Sequence, residues 1–276
     1  MKKACVIGWP IEHSRSPMIH GHWLKTYGID GAYTKEAVKP DDLEAFLHSM
    51  EANGYAGCNV TVPHKEAAFR FADVRHASAN AVGAANTLWY DKGQLIAANT
   101  DTYGYMTYLG LRYPDWHVAD AAVSIVGAGG AARAIIYGFL KAGVSEVRLF
   151  NRSSERAIEI ARMFGARVKV FDWEERSERS RGSCVLVNTT TLGMKGEGDT
   201  EIDVALLDPR CIVSDIVYVP LKTALLARAG ARGLRTLDGL GMLLHQAVPG
   251  FETWFGVTPD VSKELTDLVV RDIEAR

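Results

Sequence analysis

Cysteine is scarce in this chain: Cys5, Cys58, Cys184 and Cys211 are the only four among 276 residues. None forms a CxxC pair and each sits in an apolar run, a pattern that favours reduced core residues in a cytoplasmic protein over a disulfide framework or a thiolate metal site. Net charge is nearly absent too. Lys and Arg number 31 against 33 Asp and Glu, a formal charge of −2, so no overall positive field gathers nucleic acid or anionic lipid. An anionic ligand therefore needs a local site. Long apolar runs are missing, since no stretch reaches the roughly 18 residues that suggest a membrane span. The apolar stretch after Lys2 and Lys3 breaks at Gly8 and Pro10, too early for a signal peptide. Internal repeats and low-complexity segments are also lacking, and the charge run Glu174 to Arg181 has mixed signs, as a solvated loop or helix face would.

What is present is an ordinary globular composition, 47% hydrophobic and 23% charged, in a chain long enough for about two domains. Short Val- and Ile-rich runs alternate with longer amphipathic segments, the pattern of parallel sheets covered by helices, so the fold class is α/β. Expected strands are Ala4 to Ile7, Tyr33 to Val38, Gly57 to Thr61, Ala122 to Val126, Glu146 to Phe150, Val168 to Phe171, Cys184 to Asn188 and Cys211 to Ile216, with a hairpin between Ala85 and Ala98. Helical patterns cover Ser16 to Tyr27, Asp41 to Glu51, Thr102 to Leu109, Ala131 to Lys141, Ser154 to Met163, Leu221 to Ala229, Met242 to Phe255 and Ser262 to Ile273. A second domain opens near Tyr113 to Trp116 and its βα units continue to about Thr236. The last helices are expected to return to the first domain.

Val123 to Val126 runs into Gly127, Ala128, Gly129, Gly130 and Ala131, and then into an apolar helix. Gly127 suits a tight turn, while Gly129 and Gly130 leave room for a pyrophosphate against the N–H groups at the positive end of that helix. A strand before, a helix after and a second strand about 20 residues on complete the dinucleotide-binding context. That second strand ends without the usual acidic residue and reads Asn151, Arg152, Ser153, Ser154, Glu155, Arg156. Cations are mildly unfavourable at a helix N-terminus, so Arg152 and Arg156 either decorate a helix start or await an anion. The second reading favours NADP over NAD.

Further clusters stand in the first domain. Ser16 before Pro17 fits a helix N-cap followed by Pro at the first helical position, which leaves Ser14 unexplained; two hydroxyls spaced by two could grip a carboxylate or vicinal hydroxyls. Asn59 and Thr61 alternate onto one face of a strand, and Lys65 is expected one turn into the helix opened by Pro63, near a strand end of the kind where open α/β sheets bind ligands. Lys65 reads either as a surface charge or as a catalytic group. Asn86 and Thr87, and then Asn99, Thr100 and Asp101, end two more apolar runs, and Asp101 either caps a helix starting at Thr102 or serves the site. The scattered histidines His13, His20, His22 and His64 offer no convincing metal ligand set, so no metal is expected.

Assembled in order, SRSP, NVTVPHK, GAANT, NTD, GAGGAAR, NRSSER, NTTTLGM, DIVY and GLGMLLHQA resemble the shikimate dehydrogenase family over almost the whole length. The resemblance implies an N-terminal α/β substrate domain, residues 1–101 with 238–276, and an inserted Rossmann-type NADP-binding domain, residues 102–237. It implies Lys65 and Asp101 as the catalytic pair, Ser14 and Ser16 on the substrate carboxylate, and Asn59, Thr61, Asn86 and Gln246 on its hydroxyls. The cofactor set is Gly127, Ala128, Gly129, Gly130, Ala131, Asn151, Arg152, Ser153, Arg156, Thr189, Ile216, Gly239 and Met242, with Tyr218 near the substrate or nicotinamide. Two departures stand out: Arg15 lies where the family commonly has Leu, which would alter charge at the pocket rim, and His20 is followed by Gly21, not Asn. The implied reaction is reversible NADPH-dependent reduction of 3-dehydroshikimate to shikimate, in a monomer or homodimer. Rival readings are a quinate-oxidising relative using NAD, a folate-type NADP dehydrogenase and a regulatory NADP-binding protein without turnover.

Overall fold

The computed structural model describes residues 1–118 and 120–275. They fold into two compact units, Met1–Asp101 with Leu244–Arg276, and Thr102–Leu243. The first begins β1 (Lys2–Gly8), α1 (Ser16–Thr26), β2 (Gly31–Ala37), α2 (Leu43–Ser49), β3 (Tyr55–Val60), α3 (Lys65–Phe71), β4 (Val74–Arg75), α4 (Ala77–Val82), β5 (Thr87–Asp91) and β6 (Gln94–Ala98). These strands make one sheet in the order β2-β1-β3-β5-β6-β4. β1 runs parallel to β2 and β3, and β5 runs antiparallel to β3 and β6. The β5–β6 hairpin turns through Lys92 and Gly93, both at positive φ, the backbone twist a two-residue hairpin loop requires. Cys5, Ile7, Cys58, Val60 and Leu88 face Leu43, Leu47 and Met50 in a buried core. The chain reverses direction across the sheet between β1 and β3, which makes their carboxyl ends a natural ligand crevice.

The helix α5 (Asp101–Arg112) precedes β7 (Ala122–Val126), α6 (Gly130–Lys141), β8 (Val147–Phe150), α7 (Ser154–Phe164), β9 (Val168–Phe171), β10 (Ser183–Asn188), β11 (Ile212–Asp215), α8 (Ala224–Ala231), β12 (Arg235–Leu237) and α9 (Leu240–His245). The second unit's sheet is parallel throughout, ordered β12-β11-β10-β7-β8-β9. β7, β10 and β11 are buried along their whole length, which is why they read as near-continuous apolar runs. Their switch point lies between β7 and β10. The charge run expected to be solvated forms two short 3-10 turns. Within it Arg176 is buried, with Nε donating to Thr200 O at 2.7 Å and its guanidinium 4.4 Å above the Trp173 ring.

After α9, the helices α10 (Val248–Phe255) and α11 (Lys263–Glu274) belong to the first unit. Trp254 Nε1 donates to Leu88 O at 3.1 Å, and Trp23 Nε1 to Asp260 O at 2.9 Å. The single helix expected over Met242 to Phe255 is two helices, because Pro249 sits in the first turn of α10 and cannot donate to a continuing ladder. The division between units falls at Leu244 and not at 238. Residues 238–243 stay with the second unit: Leu240 N donates to Asp238 Oδ1 at 2.9 Å, and a Cβ on Gly239 would lie 2.1 Å from Ile216 O. No helix of the described residues is long and apolar enough to cross a membrane.

Candidate active site

In the first unit the expected catalytic pair is in direct contact. Lys65 Nζ donates to Asp101 Oδ2 at 2.8 Å, and Asn86 Nδ2 donates to Asp101 Oδ1 at 2.9 Å, so both carboxylate oxygens are held. Lys65 is the first residue of α3, not a turn inside it. The residue before it, His64, is buried with Nε2 at 2.7 Å from Val38 O, and Ala85 N donates to Lys65 O at 2.9 Å, which ties the lysine backbone beside Asn86. Asp101 is not a cap for a helix starting at Thr102: it opens α5 itself, and its N–H is satisfied by Asn99 Oδ1 at 3.0 Å. Its carboxylate is thereby free of a capping duty.

Asn86 is fixed end to end. Its Oδ1 accepts from Thr100 N (2.8 Å), Thr87 Oγ1 (3.0 Å) and Thr100 Oγ1 (3.2 Å), so the amide N–H₂ must face Asp101 and, at 3.4 Å, Gln246 Oε1. Asn59 is buried, accepts from Tyr33 OH at 2.6 Å and donates to Asn86 O at 3.1 Å and Thr87 Oγ1 at 3.3 Å. Both its N–H groups are thus used inside the protein. Thr61 is half-buried just past β3, with its N–H bonded to Ile7 O at 2.9 Å.

Ser16 is not an N-cap. α1 starts at Ser16, the residue before it is Arg15, whose side chain makes no cap bond, and it is Ser14 Oγ that accepts from Ser16 N at 3.3 Å. Arg15 is not a rim charge either, since it is buried and its Nε donates to Asp272 Oδ2 at 2.8 Å, joining the first helix to the last. His20 stacks on Tyr33 with ring centroids 3.9 Å apart, and burial pushes its imidazole down to about 3.

The second unit places the expected cofactor residues at the carboxyl ends of β7, β8, β10 and β11, with Gly239 just past β12 and Met242 in α9. Gly127 has φ +108, and a Cβ there would lie 2.7 Å from Thr189 Oγ1, so only glycine fits between the two strand ends. Thr189 N and Oγ1 both donate to Val126 O at 2.8 Å, across the switch point. Asn151 locks the loop from the other side: its Oδ1 accepts from Ala128 N at 3.1 Å and its Nδ2 donates to Ser153 O at 2.8 Å. The N–H of Ala128 is therefore spent, leaving the free donors to the start of α6, where Gly129 and Gly130 face open space. Ser153 Oγ donates to Glu155 Oε2 at 2.9 Å. Arg152 and Arg156 are exposed and enter no ion pair among the described residues. An open glycine turn at a helix N-terminus with two unneutralised guanidiniums fits a phosphorylated dinucleotide. Among the described residues no group of three or more His, Cys, Asp or Glu is placed to hold a metal ion.

Sequence reasoning gave no role to Tyr33, which bonds Asn59, to Asn188 and Asp215, which precede Thr189 and Ile216, to Thr223, which bonds Asp215, or to Asp272, which pairs with Arg15. Asn188 and Asp215 carried two signals, a polar residue at the end of an apolar strand and a place at the head of the NTTTLGM and DIVY motifs.

Comparison with known proteins identifies the family. Residues 6–88 match the family model described as shikimate dehydrogenase substrate binding domain, residues 112–191 that of shikimate / quinate 5-dehydrogenase, and residues 239–263 that of the shikimate 5'-dehydrogenase C-terminal domain. The chain is 49% identical to the shikimate dehydrogenase (NADP(+)) of Azorhizobium caulinodans, over 100% of this chain and 98% of that one. It is 52% identical to that of Paramagnetospirillum magneticum, over 97% of each. The crystal structure of shikimate 5-dehydrogenase from Thermus thermophilus in complex with NADP(H) and shikimate superposes with a TM-score of 0.87 at 30% identity, covering 99% of this chain and all of that one. The chain belongs to the shikimate dehydrogenase family.

Proposed function

We propose that this protein is an NADP-dependent shikimate dehydrogenase that interconverts 3-dehydroshikimate and shikimate, an oxidoreductase acting on a CH–OH group in the synthesis of chorismate and the aromatic amino acids. The observation that carries the reading is the Lys65–Asp101 contact at 2.8 Å, with the second carboxylate oxygen held by Asn86 at 2.9 Å. An ammonium held this way is aimed and charge-balanced before any ligand arrives. NADPH, when bound, supplies the hydride for the C3 carbonyl. Charge then develops on the carbonyl oxygen, where Lys65 stabilises it and delivers the proton. In the oxidising direction Lys65 takes the proton back, and Asp101 keeps the amine oriented throughout.

Ser14 and Ser16 take the substrate carboxylate, and Thr61, Asn86 and Gln246 its hydroxyls. Asn59, with both N–H groups engaged, contributes its remaining Oδ1 lone pair and braces Asn86. Arg152, Ser153 and Arg156 hold the 2′-phosphate, and the N–H groups that open α6 hold the pyrophosphate, with Gly127 and Asn151 shaping that loop. Thr189, Ile216, Gly239 and Met242 border the cofactor, and Tyr218 lies by the substrate or nicotinamide. The test is initial-rate absorbance at the nicotinamide band, crossing shikimate or quinate with NADP or NAD. Fast turnover only with shikimate and NADP is expected. Absence of turnover with every pair, in a protein that binds NADPH, would leave a binding protein in its place.

A further inference from the structure

Thr189 leaves the carboxyl end of β10, and Ile216 and Tyr218 leave that of β11. One buried polar pair holds these ends together. Asn188 and Asp215, the last residues of the two strands, are register partners and lie almost wholly out of solvent. Asn188 Nδ2 donates to Asp215 Oδ1 at 3.0 Å and to Leu192 O at 3.1 Å, while its Oδ1 accepts from Thr190 Oγ1 at 2.7 Å and Thr190 N at 3.0 Å. Asp215 Oδ1 also accepts from Val217 N at 3.0 Å, and its Oδ2 from Thr223 Oγ1 at 2.7 Å. Ile216 N donates to Asn188 O at 3.1 Å. The courses of residues 189–192 and 216–223 thus meet at one carboxylate.

We propose that Asp215 is a positioning residue for the cofactor: with Asn188 it sets the two loops that carry Thr189, Ile216 and Tyr218, and NADP(H) affinity depends on its carboxylate accepting all three hydrogen bonds. The inference rests on the function proposed above for the identity of the cofactor. Protonation breaks the arrangement. A hydrogen on Oδ2 would meet that of Thr223, whose oxygen already caps α8 by accepting from Leu226 N at 3.4 Å and has little freedom to turn. Burial pushes the Asp215 carboxyl up to about 6, against the three hydrogen bonds that favour its charge. The charged group that adds to the rise is Asp199, itself paired with Arg228 of α8. The fold therefore carries a carboxylate where a neutral amide would be cheaper to bury, a cost that a simple staple between strand ends does not demand.

Asp215→Asn makes the protonated arrangement permanent, because its N–H₂ would confront Thr223 as the acid's O–H does. NADPH dissociation constants are measured by nucleotide fluorescence for the wild type and the variant between about pH 5 and 8, and their ratio cancels the titration of the coenzyme's own 2′-phosphate. At the upper end the variant binds about three- to tenfold more weakly, the worth of one hydrogen bond, and the ratio falls toward one at the lower end. With saturating NADP, kcat on shikimate changes much less than the cofactor KM. Amide exchange of residues 189–192 and 216–219 in the cofactor-free variant is faster than in the wild type. Thr223→Val, which removes one donor to the ionised carboxylate, moves the midpoint of the affinity profile to higher pH and keeps the inference testable if Asp215→Asn does not fold. A ratio that is constant with pH, or a Thr223→Val midpoint that stays put, overturns the inference alone. A wild type that does not bind NADPH overturns the proposed function and this inference with it.

Discussion

The two units prepare for their ligands by opposite means. In the first, side chain is paired with side chain: Lys65 to Asp101, Asp101 to Asn86, Asn86 to Thr87 and Thr100, Asn59 to Tyr33. In the second, the free donors are the N–H groups at the start of α6 and the exposed Arg152 and Arg156. A pre-paired network resists reorganisation during the reaction, so damage there is expected in turnover. Open charges and backbone donors attract and release an anion, so damage there is expected in affinity.

Lys65→Ala tests the first half most severely. Turnover with shikimate and NADP should fall by roughly 10²–10⁴, as for loss of an acid–base group, while the NADPH dissociation constant measured by fluorescence stays close to that of the wild type. Near-normal turnover would remove Lys65 from the mechanism.

Acid should separate the units next. His20, in the first unit, is pushed down to about 3 by burial, so as pH falls from about 6.5 toward 3 the unfolded chain binds a proton that the folded chain refuses, and stability is lost. Asp215, in the second unit, is pushed up to about 6, so its contribution is fully present below about 4 and is lost as pH rises through about 6. His20→Phe should therefore flatten the acid limb of a urea-unfolding series by up to about 5 kcal/mol, the full linkage of the shift. Parallel curves for variant and wild type would mean that His20 is not kept neutral.

Arg15→Leu leaves Asp272 without its buried cation and should cost about 2 kcal/mol, less than a fully buried pair because Asp272 keeps some contact with water. Arg15→Leu with Asp272→Leu should recover most of that loss in thermal unfolding; equal melting of the single and double variants would deny the coupling. Arg152→Ala, in the open half, should weaken NADP binding about tenfold and leave NAD binding nearly unchanged. Equal losses with both coenzymes would show that Arg152 meets no 2′-phosphate.

Local signals carried most of the architecture, since strand and helix periodicity, the glycine turn after β7 and the hairpin at Lys92 and Gly93 all act within a few residues. They failed where a distant partner decides. Ser16 has the residue type and the proline of an N-cap, yet Arg15 takes that position and anchors itself at Asp272, 257 residues away in sequence. The Met242 to Phe255 pattern is helical throughout, and only the backbone demand of Pro249 divides it. In the candidate site, Lys65 and Asp101 were singled out through motifs, whereas Tyr33 was not and Asp215 stood in the DIVY motif without a role: a tyrosine in one strand and an aspartate at the end of another become informative only when the sheet order sets Asn59 and Asn188 beside them.

The saturated carbonyl of Asn86 has a consequence for what the first unit can distinguish. With three donors on Oδ1 the amide cannot turn over, so the group at that wall gives hydrogens and never receives them, while Asp101 beside it only receives. In the proposed site, a ring hydroxyl that bridged Asn86 and Asp101 in place of their direct contact would accept from the first and donate to the second, which leaves one direction for its O–H bond. A fluorine or methyl ether in its place would keep much of the shape and break that relay, so binding of a deoxyfluoro analogue would fall although nothing clashes. Discrimination in the proposed site would then be by the heading of a single proton, a property that neither the volume of a cavity nor its total charge records.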